Sequence, residues 1–162
     1  MATSASGHRR QAPHPSSSLS MTSLNALTLD DLLPHRGRSL YVTEVLRVGA
    51  LAAAVRCTVA PWWPFQVEGG VHPLILVELA AQAAGVCNGW DRIHTQGLDS
   101  NPMGWIVAVK KAEFFVSVLP LGESVIASSE NTQNFGSLRE VSCELRFNET
   151  LIGRVVLQLY QA

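Results

Sequence analysis

One segment, from Pro73 to about Trp90, constrains the fold more than any other part of the chain. Its residues are apolar almost all round, which is typical of a helix that is buried rather than one that lies on a surface. Proline is acceptable in the first turn because its missing N–H would have no helical partner there. The second half of this predicted helix contains alanines and a glycine. Because these residues are small, other elements can pack closely against it. We therefore predict one long helix inside the fold.

Strand patterns surround this helix, two before it and three or four after it. They are Ser39 to Arg47, Leu51 to Val59, Trp105 to Val116, Glu123 to Phe135, Leu138 to Phe147 and Leu151 to Tyr160. A polar loop from Arg92 to Met103 follows the helix, and turn residues separate the later strands. One apolar helix with this many strands predicts an α+β fold in which an antiparallel sheet wraps around the helix.

The start of the chain differs in composition from the rest. Residues 1–23 are rich in Ser, Pro, Ala and His, and they cannot bury enough apolar surface to offset their ordering entropy, so we expect a disordered tail. Residues 24–162 are long enough, and apolar enough, for one compact domain. Thr28, with Asp31 three residues later, predicts a capped helical turn that reaches Leu33.

Charge and cysteine usage exclude several classes of protein. The net charge of −1, without a basic stripe, is against a nucleic-acid partner. No apolar run is long enough to span a bilayer. Cys57, Cys87 and Cys143 are far apart and odd in number, which indicates buried reduced thiols in a cytoplasmic protein. The five histidines lack metal-ligand spacing, so we expect no metal and no other cofactor.

Glu78 is the most informative residue, because it lies inside the apolar helix. A carboxylate there is costly unless it is paired, hydrogen-bonded or protonated, and such groups concentrate at functional sites. Gln82 lies one turn later on the same face and could orient it. Glu78 is therefore a candidate catalytic acid with Gln82 in support. The alternative is a structural carboxylate that backbone donors satisfy at a subunit interface.

His72 immediately precedes Pro73, at the start of the same helix. Free N–H groups at a helix start favour developing negative charge and could hold a carbonyl oxygen. An imidazole beside them could act as a general base. The alternative is a helix-entry residue that packs on Trp62 or Trp63. We interpret His35, beside Arg36, as a solvated or structural residue.

Three stretches together resemble the hotdog-fold 3-hydroxyacyl-[acyl-carrier-protein] dehydratases. Leu32 to Arg36, with the strand that follows, looks like the family's opening Leu-Pro-His-Arg. Leu76 to Gly85 is similar to its central helix with Glu and Gln, and Val109 to Glu123 is similar to its third strand and Pro-Gly-Asp turn. The resemblance covers roughly residues 28–160. The final Tyr160-Gln161 is similar to the aryl-polyene-type branch of these dehydratases.

The resemblance implies a hotdog fold whose copies pair edge to edge, as a homodimer or a heterodimer with another hotdog subunit. Each active site would combine a His of one subunit with the acid of the other. One departure from the pattern concerns the base: the family's Gly-His-Phe-Pro-Gly loop corresponds to residues 64–71, which contain no His. His72 would then be the base in a shifted position, or the base has been lost.

Three functions follow from these expectations. In the first, a 3-hydroxyacyl thioester on acyl carrier protein, or on coenzyme A, is dehydrated to the trans-2-enoyl thioester in fatty-acid or polyketide-type lipid biosynthesis, with His72 and Glu78 as catalytic residues. In the second, the chain is a catalytically silent subunit that pairs with an active dehydratase. In the third, it is an acyl thioesterase in which Glu78 activates water. A fold alone does not decide among them.

Overall fold

The computed structural model describes residues 26–162, so the tail expected at residues 1–23 lies outside the described residues. In chain order the elements are α1 (Leu29–Leu32), a 3₁₀ turn (Gly37–Ser39), β1 (Glu44–Val48), β2 (Ala52–Thr58), β3 (Gln66–Val67), β4 (Gly70–Val71), α2 (Ile75–Gln96), β5 (Gly104–Phe114), β6 (Leu119–Pro120), β7 (Ser124–Phe135), β8 (Leu138–Phe147) and β9 (Thr150–Gln161). Neither α-helix is long and apolar enough, within these residues, to cross a membrane.

Six strands form one antiparallel sheet in the order β1-β2-β7-β8-β9-β5. β7 and β8 pair from Val125 opposite Phe147 to Phe135 opposite Leu138, and the two-residue turn between them begins at Gly136, whose φ of 69° suits glycine. β3, β4 and β6 form a second, three-stranded sheet. β1 and β5 are the edge strands of the large sheet.

α2 crosses one face of the large sheet and contacts all six of its strands. Alternate residues of the strands are buried against it, as the period of two in a strand requires. These residues include Val55, Cys57, Val125, Ala127, Val141, Cys143, Leu145, Val155 and Leu157. The predicted α+β fold, an antiparallel sheet around one long helix, is confirmed.

The first strand begins later than predicted, at Glu44 instead of Ser39. The reason is a competing side chain: the amide of Gln82 accepts from the N–H of Tyr41 at 2.9 Å and donates to the carbonyl of Ser39 at 2.7 Å. Backbone groups that bond to the helix are not available for a sheet ladder. The segment before β1 is therefore attached to α2.

The central helix runs further than predicted, to Gln96, so the interpretation of Arg92 as the start of a polar loop was wrong. Arg92 is only 2% exposed, and its guanidinium donates to the carbonyl oxygens of Asp31 and Ser100 and to the Ser100 hydroxyl. These bonds make a charged residue a buried part of the helix. Gly97, at a φ of 94°, ends it.

All three cysteines are free and buried, as predicted. Burial raises the pKa of the Cys57 thiol to about 12 and that of the Cys87 thiol to about 11. Neither thiol is a nucleophile at neutral pH, because the thiolate is the reactive form.

The contact between α1 and α2 predicts an effect on stability. A Cβ at Gly89 would lie 2.1 Å from the carbonyl oxygen of Leu32, so backbone would have to move. We expect Gly89→Ala to lower the free energy of unfolding by about 1 to 3 kcal/mol, the usual cost of overpacking. Gly49→Ala is the matched control, since its Cβ meets nothing closer than 4.0 Å, and should change it by less than about 0.5 kcal/mol. Urea titration measures both, and equal stability of the two variants would contradict the close approach.

Candidate active site

Glu78 lies in the first turn of α2 and is not fully buried: 36% of its side chain is exposed. This partial exposure was not expected from the sequence, because the residues on either side of Glu78 are apolar. Its Oε1 lies 3.3 Å from His35 Nε2 and accepts a hydrogen bond of 3.1 Å from Gln82 Nε2. The carboxylate is therefore held by two side chains at the edge of a cavity.

His35 belongs to the segment between α1 and β1. Arg36 fixes this segment, because its guanidinium donates to the backbone carbonyls of Asp30, Leu33 and His35. The His35 side chain is 30% exposed, and its Nδ1 is buried without a hydrogen-bond partner among the described residues. The interpretation of His35 as merely solvated or structural missed its contact with Glu78.

Gln82 is completely buried and uses its amide fully. It accepts from Tyr41, and its two N–H groups bond Ser39 and Glu78. The predicted position of Gln82 beside Glu78, one helical turn away, is confirmed. The same amide connects the helix to the segment that carries His35.

His72 is exposed and lies just before α2, but it does not contact Glu78 within the chain. Its Nδ1 accepts from the N–H of Leu74 at 3.0 Å, and its carbonyl accepts from Ile75 at 3.3 Å. The N–H groups of Leu76 and Val77 also have backbone acceptors. The helix start thus offers no unbonded N–H among residues 74–77. The Leu74 N–H alone is bonded to a side chain.

A cavity of about 300 Å³ begins at His35 and Glu78 and follows one face of α2. The helix contributes Glu78, Ala81, Gly85, Asn88, Gly89 and Arg92, which are three or four residues apart except for the adjacent Asn88 and Gly89. The opposite walls are residues 32–35, residues 102–106 at the start of β5 and residues 159–161 at the end of β9.

This arrangement is suited to acid–base chemistry on a molecule with an apolar chain. The chain would occupy the largely apolar cavity, while a carboxyl group and an imidazole face its end. Within residues 26–162 no group of three or more His, Cys, Asp and Glu side chains could hold a metal ion.

His35 could have been found from the sequence by one signal. It stands between Pro34 and Arg36, directly after a capped turn, in the stretch that resembles the dehydratases. The sequence does not show that the side chains of His35 and Glu78 are close to each other. The two residues are 43 positions apart, and only the packing of α1 on α2 brings them together.

Solved structures of low identity share this fold. A chain of the dehydratase heterocomplex ApeI:P from Xenorhabdus doucetiae is 22% identical, with a TM-score of 0.76, over 84% of this chain and 91% of that chain. The PaaI protein from the phenylacetic acid degradation operon of E. coli is 14% identical, with a TM-score of 0.56, over 73% and 82%. A hypothetical thioesterase solved with coenzyme A from Streptococcus pneumoniae is 11% identical, with a TM-score of 0.53, over 72% and 83%.

No curated protein matches the chain. A family model does: the model of the ApeP-like family, described as ApeP dehydratase, matches residues 27–162. The match includes α1 with the His35 segment, the helix with Glu78 and Gln82, and every strand of the sheet. The chain belongs to the ApeP-like dehydratase family.

Proposed function

We propose that this protein dehydrates a 3-hydroxyacyl thioester to the trans-2-enoyl thioester, with Glu78 as the acid. The observation that carries the proposal is the contact between Glu78 and His35, 3.3 Å apart, at the end of an apolar cavity. Membership of a dehydratase family supports the reaction class.

The reaction requires two proton movements, and a carboxyl group beside an imidazole can perform both. The neutral imidazole of His35 takes the proton from C2 as the double bond forms. The protonated carboxyl of Glu78 gives its proton to the departing 3-hydroxyl, which leaves as water. The two groups then carry opposite charges in contact, and transfer of the proton from His35 to Glu78 restores the starting state.

His72 remains the second proposal for the base, acting across a subunit boundary. Edge-to-edge pairing would bring the His72 of one subunit to the Glu78 of another, as in the dehydratases that the chain resembles. His72 also covers the Leu74 N–H, and this exposed imidazole can rotate away. A thioester oxygen that replaced Nδ1 there would be held by the helix-start amide.

Variants of the three residues test the proposal and separate the two bases. We expect Glu78→Gln to lower kcat by about 10²- to 10⁴-fold, the usual contribution of general acid–base catalysis. If His35 is the base, His35→Gln should lower kcat by a similar factor. The kcat of His72→Gln should then stay within severalfold of that of the parent protein. Enoyl thioester formation measures all three.

The control is His94→Gln, because His94 is exposed at the end of α2, away from the cavity, and should leave kcat unchanged. If His35→Gln kept full activity and His72→Gln lost activity, His72 and not His35 would be the base. Full activity of Glu78→Gln would contradict the mechanism with either histidine.

We propose acyl carrier protein as the carrier, with coenzyme A as the alternative, and a cytoplasmic lipid-biosynthetic setting. The resemblance to carrier-protein dehydratases supports the carrier, and three free buried thiols are consistent with a reducing compartment. No metal or redox cofactor enters the reaction as proposed.

We also propose that the protein works as a dimer, either with itself or with another hotdog subunit, joined along β5. β5 is an edge strand, and it exposes large apolar side chains, which unpaired edge strands usually lack. These are Trp105, Ile106, Val107 and Val109. The neighbour from X. doucetiae was solved as a heterocomplex, which favours a hotdog partner. In such a pair this chain could also be the silent subunit.

A lysine on β5 tests the pairing. Val107→Lys adds a charge to the edge strand, and we expect it to reduce the mass in light scattering from dimer to monomer. Leu51→Lys is the control, because Leu51 is even more exposed than Val107, at 68% against 52%, but lies in the β1–β2 turn at the far edge of the sheet. A monomeric parent protein would support the heteromeric form, and a Val107→Lys dimer would contradict pairing through β5.

Thioester hydrolysis is the second candidate function. The same Glu78 carboxylate, in its ionised form, could remove a proton from water that attacks the thioester carbonyl. The S. pneumoniae neighbour, a hypothetical thioesterase, supports only the shared fold. Release of free acid in place of enoyl thioester would favour this reaction.

A further inference from the structure

The cavity has a polar end that the proposed dehydration does not use. Its far part is lined by Asn88 and Arg92, which are 8% and 2% exposed. With a rise of 1.5 Å per residue, Asn88 lies about 15 Å and Arg92 about 21 Å along the helix from Glu78. Buried polar groups at the end of an apolar channel require an explanation.

The amide of Asn88 has a defined orientation. Its Oδ1 accepts from Arg139 Nη1 and from Asn131 Nδ2, each at 3.1 Å. A guanidinium can only donate, so the contact with Arg139 places the oxygen and not the nitrogen on that side. Asn88 Nδ2, with two N–H groups, then has no acceptor among the described residues.

Arg92 is a buried cation whose hydrogen-bond partners are all neutral, and the nearby Asp31 carboxylate acts on it only through space. Its three bonds reach carbonyl oxygens of Asp31 and Ser100 and the Ser100 hydroxyl, and no carboxylate in residues 26–162 lies within ion-pair distance of it. Desolvation lowers the pKa of this guanidinium. The bonds use three of its five N–H groups. An electron-rich atom in the cavity would therefore be favoured beside it.

We propose that Asn88 and Arg92 form a distal subsite that binds an oxygen acceptor at the far end of the acyl chain. The inference rests on the proposed function for the acyl thioester, whose 3-hydroxyl lies at Glu78. The acceptor is a carboxylate or a hydroxyl. An acyl chain that ends in a methyl group would bury the same donors without a partner, which is unfavourable.

Affinity for three inert ligands tests the subsite without any turnover. The ligands are pantetheine thioethers, which cannot be dehydrated or hydrolysed, with chains that span about 15 Å and end in a methyl, a hydroxyl or a carboxylate. Titration calorimetry gives Kd for each. We expect at least one oxygen-ended ligand to bind on the order of tenfold more tightly than the methyl-ended one. The tighter of the two identifies the natural terminal group.

Asn88→Asp is the decisive variant, because it keeps an oxygen for Arg139 and Asn131 but replaces the free donor with an acceptor. We expect it to bind the carboxylate-ended ligand no better than the methyl-ended one, while a hydroxyl can still bind by donating. Asn134→Asp adds the same charge at an exposed position of β7 and should preserve the preference of the parent protein.

Equal affinity of the parent protein for the three ligands would overturn the subsite, as would a preference for the carboxylate-ended ligand that Asn88→Asp leaves unchanged. Failure of the proposed function looks different. Selective binding of an oxygen-ended ligand, without dehydration of the matching 3-hydroxyacyl thioester, would retain the subsite and reject the reaction. Dehydration of the 3-hydroxyacyl thioester without selective binding of an oxygen-ended ligand would retain the reaction and reject the subsite.

Discussion

Three hydrogen bonds from one buried amide hold the candidate site together. Gln82 binds the N–H of Tyr41, the carbonyl of Ser39 and the carboxylate of Glu78. It thereby fixes the distance between α2 and the segment that carries His35. A buried amide with every partner in place is stable, but it is costly when one partner is lost. The late start of β1 and the contact of His35 with Glu78 both depend on this arrangement.

Close packing of the two helices makes that arrangement possible. Gly85 and Gly89 face Leu33 and Leu32, and a side chain at Gly89 would collide with backbone. Arg92 secures the same contact further along, through the carbonyl of Asp31. The small residues in the second half of α2 thus allow α1 to pack closely against it. This packing places His35, which follows α1 in the chain, at the end of the cavity. The stability of this packing and the geometry of the site are coupled.

Much of the fold was predictable, because it follows from local patterns. The apolar run at residues 73–90 and the alternation in the strands identified the helix and the sheet, and β8 was predicted to the residue. The end of α2 was missed because Arg92 looks like a surface residue in sequence, whereas long-range bonds bury it. The start of β1 was missed for a similar reason, since Gln82 competes with the strand for backbone groups.

The site was predictable only in part. Glu78 and Gln82 share one helix, so their contact follows from helical spacing. The contact with His35 depends on tertiary packing and has no local signal. His72 is placed at the helix start as expected, but within one chain it contacts Leu74 and not Glu78. The role of His72 therefore depends on the subunit that pairs with this one.

The most direct test of the central claim is the mass of the product. The purified protein would be incubated with a short 3-hydroxyacyl thioester on acyl carrier protein, and the mass of the acyl group followed with time. We predict the loss of one water from the acyl chain, which remains attached to the carrier. An unchanged mass, also in the presence of a hotdog partner, or release of the free acid would contradict the proposal.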